Sequence, residues 1–177
     1  MKPETPPKKV NLGCGRKRLP DCVNVDRVAE VQPDVVHDLD LHPYPFAEAS
    51  FDEVHAYDVI EHLADIVAFM REISRIARPG AKVIVTTPHF SCANAFTDPT
   101  HRHQLSYFSL DYFTRDHPWN FYGDTGFAIA KRSLIFHPTW VNKVVHRLAN
   151  RSPAAYERRW AWMFPAWFLY FELTVRK

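Results

Sequence analysis

The stretch Val10 to Asp26, VNLGCGRKRLPDCVNVD, constrains the fold more than any other part of this sequence. Val10 and Leu12 open an apolar run that meets Gly13-Cys14-Gly15; a second run, Cys22 to Val25, ends in Asp26. The pattern predicts strand, tight glycine turn, strand, carboxylate. In open α/β sheets, ligands bind at the carboxyl ends of the strands. Glycine there lets the backbone approach a ligand closely. An acid ending the second strand can accept both hydroxyls of a ribose, so the stretch points to a nucleoside-containing cofactor. A Gly-x-Gly turn also occurs in loops that bind nothing, so its meaning depends on the rest of the chain.

The chain has 177 residues, suited to one domain with a sizeable core, and its 46% hydrophobic content excludes disorder for most of it. A net charge of +2 gives no strong attraction to nucleic acid, and none is expected as a partner. Cys14, Cys22 and Cys92 are odd in number and lack metal-site spacing, which suits reduced thiols and a cytoplasmic setting. Residues 1–8 are expected to form a flexible tail, not a signal peptide, and 9–177 a single domain. No apolar run reaches the roughly 18 residues of a membrane span.

Further along, Asp34 to Asp38 reads as a third strand and Phe51 to Tyr57 as a fourth. Only Arg16 to Asp21 and Arg27 to Pro33 separate the first three strands, too few for full crossover helices. One sheet face is therefore expected to be thinly covered. Glu61 to Ala77 predicts a helix with Leu63, Ile66, Val67, Met70, Ile73 and Ile76 on one stripe, stopped by Pro79-Gly80. Lys82 to Thr87 predicts a central fifth strand. Ser109 is expected to cap a short helix from Leu110. Gly126 to Phe136 and Trp167 to Arg176 predict two late strands; in the second, Leu169, Phe171, Leu173 and Val175 share a face with Trp167.

From Val10 to Pro88 the chain resembles the class I S-adenosylmethionine (SAM)-dependent methyltransferases with a methyltransferase-11-like core. VNLGCG resembles their glycine-rich motif. SFDEVHAYDVIEHL and EISRIARPGAKVIVTTP resemble their central strand, helix, Pro-Gly turn and fifth strand. The resemblance implies a Rossmann-like fold, a mostly parallel seven-stranded sheet with an antiparallel last strand, here with reduced N-terminal helices. It implies SAM held by Asn11, Gly13 and Gly15, by Asp26 on the ribose, by Asp38 and Leu39 at the adenine, and by Tyr57, Asp58 and His62 near the methionine part. The chain departs from the family at Asn11, where an acid is common, and at Lys17, where a third glycine is common. The NLGCG…NVD opening also resembles small methyltransferases encoded with cell-surface polysaccharide genes. A nicotinamide-dependent oxidoreductase fits poorly, because Arg18 stands at the last glycine position of GxGxxG.

The methyl group of SAM is already electrophilic, so no metal is predicted; alignment and exclusion of water suffice. In HFSCANAFTDPTHRHQ, after the fifth strand, His101 is the expected general base, with His89 next and Asp98 as orienting acid. Asp98-Pro99-Thr100 is equally a turn signal. His101-x-His103 with Asp98 and His89 is an alternative metal reading. His62 borders the cofactor or simply bonds backbone at a helix start, and Cys14 reads as a small packing residue.

Residues 138–166 form a basic and aromatic insertion. It holds Lys143, Arg147, Arg151, Arg158 and Arg159 against Glu157, with a helical stripe Val141, Val144, Val145 and Leu148, then Trp160, Trp162, Met163 and Phe164. Core packing, a homodimer face, and peripheral contact with the inner membrane face are all open. The expected function is methyl transfer to a hydroxyl, less readily an amine, of a small molecule or a glycan, including a lipid-linked one. The alternative is a non-catalytic SAM-fold subunit that binds a partner protein.

Overall fold

The apolar runs either side of Gly13-Cys14-Gly15 pair as parallel neighbours, β1 (Lys9–Leu12) and β2 (Cys22–Asp26). The computed structural model describes residues 8–115, 117, 118 and 126–177; the predicted tail, apart from Lys8, lies outside them. β3 (Val35–Val36), β4 (Phe51–Tyr57) and β5 (Ala77–Pro88) continue the parallel part of the sheet. β6 (Phe127–Ile135) and β7 (Phe168–Val175) complete it, with β7 antiparallel between β5 and β6. The order is β3-β2-β1-β4-β5-β7-β6. The sheet is the mostly parallel, seven-stranded one that the sequence predicts.

Strand parity divides the sheet into two unlike faces. Val10, Leu12, Val54, Ala56, Val83, Val85 and the β7 set Leu169, Phe171, Leu173 and Val175 are all buried in one core. The alternate positions read Lys9, Glu53, His55, Lys82, Tyr170 and Glu172, joined by Lys9–Glu53 and Lys82–Glu172 ion pairs at 3.7 Å. Burial lowers the pKa of His55, despite Glu53 beside it. This polar face is the thinly covered one.

The core face is closed by α1 (Ile66–Ile76), whose Phe69, Met70, Ile73 and Ile76 are buried. α1 begins later than the stripe suggests. Asp65 caps it by accepting from Ala68 N–H at 2.9 Å, while Ile60–His62 form a separate 3-10 turn. At the other end, the chain straightens at Ala77, ahead of Pro79-Gly80, and β5 runs through the pair. The residue before a proline disfavours helix, so extension there is natural. Ser109 lies inside a 3-10 turn, Ser109–Phe113, and its hydroxyl accepts from Ser106 N–H instead of capping a helix.

The insertion folds as α3 (Trp140–Arg151), capped by Thr139, and α4 (Pro153–Arg159). Only Val145 and Ala149 of α3 turn towards the core; Val141, Val144 and Leu148 of the expected stripe are exposed. Asn150 accepts from the N–H of Leu134 and donates to its C=O, satisfying the backbone of edge strand β6.

In place of a first crossover helix, the loop 13–21 is held by Asn24. Its buried amide accepts from Leu19 N–H at 2.8 Å and from Asn11 Nδ2 at 3.0 Å. It donates to Leu19 O, Cys22 O and Asp34 Oδ2, each within 3.1 Å. Asn24→Ala is expected to lower stability by roughly 2–4 kcal/mol, because several buried partners are left unsatisfied at once. Urea unfolding followed by circular dichroism checks this.

Candidate functional site

The carboxyl ends of β1, β2, β3 and β4 open onto a cleft of about 280 Å³. Its floor is the glycine turn. Gly13 (φ +68°) packs so tightly that an added Cβ would stand 2.4 Å from Val59 Cγ2, whereas a Cβ on Gly15 (φ +47°) would meet nothing within 4 Å. Asp26 is aimed by two backbone donors, Gly15 N–H at 2.7 Å and Val28 N–H at 2.9 Å, one to each carboxylate oxygen. Each oxygen keeps a lone pair for a ligand hydroxyl. Asp38, with Oδ1 accepting from Asp40 N–H, lines the cleft together with Leu39, Asp58 and His62. Asp58 sits at φ +53°, a conformation that aspartate tolerates better than most residues, and accepts from the Thr86 hydroxyl at 2.7 Å.

A second cleft, about 620 Å³, lies beside the first and shares Asp58 and His62 with it. Its other lining residues include Glu61, Asn94, Asp98 and His101. The loop after β5 is folded onto this junction by Glu61 C=O, which accepts from the N–H groups of Arg102 and His103. The Glu61 side chain is 1% exposed, and among the described residues neither carboxylate oxygen has a hydrogen-bond partner. Burial pushes its pKa up to about 7, against the pull of its own backbone N–H and the Thr87 hydroxyl towards the charged form; the charges of Asp58 and Asp98 add to the rise. Burial also lowers the pKa of His62, and the neighbouring His101 adds to this; the two rings meet edge to face at 4.6 Å.

The hydrogen bonds assign the tautomers at this junction. Thr100 Oγ1 lies 2.6 Å from Asp98 Oδ1, a carboxylate that only accepts, so the hydroxyl proton points there. The same hydroxyl oxygen must then accept from His62 Nδ1–H, 2.8 Å away. His101 Nδ1 faces the Ala95 carbonyl at 3.3 Å and must donate to it. Both histidines therefore keep the Nε2 lone pair free.

Of the residues expected to hold the cofactor, the structure gathers Gly13, Gly15, Asp26, Asp38, Leu39, Asp58 and His62 around the first cleft. It does not bring Asn11 or Tyr57 there. Asn11 is 1% exposed on the polar side of β1, and its amide is spent on Lys17 C=O and Asn24. Tyr57 shares that side with His55, whose Nδ1 lies 2.8 Å from the Tyr57 hydroxyl. His89 is not among the residues lining the second cleft. It is fully buried, Nε2–H donates to Glu157 at 3.0 Å, and Nδ1 accepts from Ser91 N–H, so no ring nitrogen is free for an acceptor. Asp98 makes its turn through Thr100 and orients His62 through that hydroxyl, not His101. His103 donates to Leu63 C=O, so neither it nor His89 joins a metal set with His101. Sequence reasoning missed Glu61 and Thr100. Glu61 reads as a polar residue at the start of a helix, and nothing local marks it as buried.

A protein-family model described as a methyltransferase domain matches residues 11–85. The dimethylglycine N-methyltransferase of Parasynechococcus marenigrum (strain WH8102) is 33% identical over 85 residues, which are 48% of this chain and 30% of that protein. The chain thus spans under a third of that relative's length. Among solved structures, a SAM-dependent methyltransferase from Archaeoglobus fulgidus superposes with a TM-score of 0.68 at 16% identity, over 95% of this chain and 86% of that one. A putative methyltransferase in complex with the Haloferax volcanii Trm112 activator superposes at 0.59 with 17% identity, over 96% and 82% of the two chains. At these identities the structural matches establish the fold.

The two glycines make a paired test of the turn. Gly13→Ala adds a clash with Val59 to an unfavourable φ and is expected to cost roughly 2–4 kcal/mol. Gly15→Ala carries only the backbone term, roughly 1–2 kcal/mol. Thermal and urea unfolding of both variants measures the difference.

Proposed function

We propose, on the premise of a class I methyltransferase fold with a methyltransferase domain across residues 11–85, that this chain transfers a methyl group from SAM to a hydroxyl of a glycan or other small molecule. The observation that carries the reading is the meeting of the two clefts at Asp58 and His62. The residues present fit SAM in the first cleft. Asp26 offers free lone pairs to a ribose, Leu39 offers an apolar surface to an adenine, and Gly13 and Gly15 leave the backbone bare. Asp58 and His62 border the methionine part. SAM supplies a methyl group made electrophilic by its sulfonium.

The chain's own work is then to hold the acceptor in the second cleft and to handle its proton. As the acceptor oxygen bonds to the methyl carbon, the carbon–sulfur bond breaks with its electrons left on sulfur. The hydroxyl proton passes to the free Nε2 of His101. A neutral amine needs no such help before it attacks, so the convergence of Glu61, His62 and His101 favours a hydroxyl. Asn11, which stands where an acid is common in the family it resembles, holds the glycine loop in place through Lys17 C=O and Asn24. Calorimetry with S-adenosylhomocysteine tests the reading. Binding at one site per chain is expected, weakened roughly 10–100-fold in Asp26→Asn, the cost of losing hydrogen bonds to a charged group. No heat and no thermal shift at millimolar ligand would overturn it.

A lipid-linked sugar reached at the cytoplasmic face of a membrane is the acceptor class that the polysaccharide-type opening and the insertion support together. Trp140 (82% exposed), Trp162 (71%), Val144, Leu148 and Met163 stand in solvent. Lys143, Arg147 and Arg151 form an adjacent row on α3, as residues four apart on a helix do. Exposed aromatics flanked by cations suit an anionic bilayer surface. The protein is expected to co-sediment with phosphatidylglycerol vesicles at low salt, less with phosphatidylcholine vesicles, and much less as the double variant Trp140→Ala/Trp162→Ala. Absence of vesicle binding, with a dimer in solution, would assign the face to a second copy instead.

A further inference from the structure

We infer that Glu61, His62 and His101 form a binding site for a divalent transition cation of the zinc, manganese or iron(II) class. One ligand atom from each residue lies within 4.8 Å of the others. Around a common ion with bonds of about 2.1 Å such atoms stand roughly 3–3.5 Å apart, so modest side-chain turns close the set. Two imidazoles and one carboxylate are the donors such ions prefer, and three protein ligands leave positions open for a substrate oxygen.

Three independent features point to an ion at this place. The first is Glu61, whose two carboxylate oxygens are buried and, among the described residues, make no well-formed hydrogen bond; the nearby Thr87 hydroxyl favours their charged form without closing one. A buried carboxylate left in that condition is costly, and native structures rarely carry one without a purpose. The second is tautomeric. Both histidines are held with Nδ1–H donated away, His62 through Thr100 to Asp98 and His101 to the Ala95 carbonyl. That is the outer-shell arrangement that fixes a metal-bound histidine and raises its basicity. The third is local charge: Asp58 and Asp98 line the same cleft.

The use of the ion rests on the methyl-transfer reading; its binding does not. Bound there, it would contact the acceptor oxygen in the second cleft and lower the pKa of its hydroxyl. His101 would then act as a ligand, and the proton would leave to solvent.

The test uses the full-length protein, stripped with a chelator and titrated with cobalt(II) by visible absorption and with zinc(II) by calorimetry. One ion per chain is expected, with a dissociation constant in the micromolar range or tighter. Binding should weaken at least 30-fold in both Glu61→Gln and His101→Gln. Both variants should keep S-adenosylhomocysteine affinity and a cooperative thermal transition, which excludes loss of fold as the cause. Absence of a saturable cobalt(II) site in the wild type, or binding equally tight in both variants, would overturn the inference. A cobalt(II) site in a protein that ignores S-adenosylhomocysteine would leave the ion site standing and remove the methyl-transfer reading. The converse result would remove the ion site alone.

Discussion

The grip of Asp26 on the N–H of Gly15 is the contact on which the rest of the site depends. Parallel strands are normally joined by helices that cover the sheet and aim the strand ends. Here residues 13–21 and 27–34 do that work as loops. A loop must satisfy its own polar groups, and this one does so through a few side chains. Asp26 fixes the glycine turn, Asn24 fixes Leu19 and Cys22, and Asp34 accepts from Asn24 in turn. The carboxylate that would receive the ribose is therefore also a structural element of the turn beneath it. The group that offers free lone pairs to the cleft is the one that fixes the loop, so the cleft keeps its shape through Asp26 itself.

The same economy explains the polar sheet face. Among the described residues no helix covers β1 and β2 on this face, and its part-exposed positions carry Lys9, Glu53, Lys82 and Glu172. Such half-exposed ion pairs contribute little to stability. Their physical role is to keep a broad sheet surface soluble and discourage stacking. Stability must come from the opposite face, where α1 and the β7 alternation supply a continuous apolar layer.

Much of this was legible in the sequence, for reasons that differ from element to element. The apolar run of β5 and the alternation of β7 announce themselves, because buried strands need them and little else produces them. Gly13, Gly15, Asp26, Asp38, Leu39, Asp58 and His62 were readable because position at a strand end follows from order along the chain. Asn11 and Tyr57 were misplaced by ignoring parity. Val10 and Leu12 point to the core, so Asn11 cannot; Val54 and Ala56 do the same for Tyr57. That signal was present in the sequence. The signal for His89 was not, because its partner Glu157 lies 68 residues away on α4. The early helix start failed because the N-cap is Asp65, and a stripe of apolar residues does not say where its first turn begins.

The late start of α1 has a chemical consequence. Had the helix begun at Glu61, the backbone carbonyl of that residue would have been committed to the helical ladder. Placed instead in a 3-10 turn, Glu61 offers its carbonyl to Arg102 and His103 and so pulls the loop after β5 across the cleft. That pull brings His101 against His62 and leaves the Glu61 carboxylate buried beneath them. A capping choice at Asp65 is thereby linked to the assembly of a junction between the two clefts. The chemistry of that junction depends on three side chains which neither element would bring together alone.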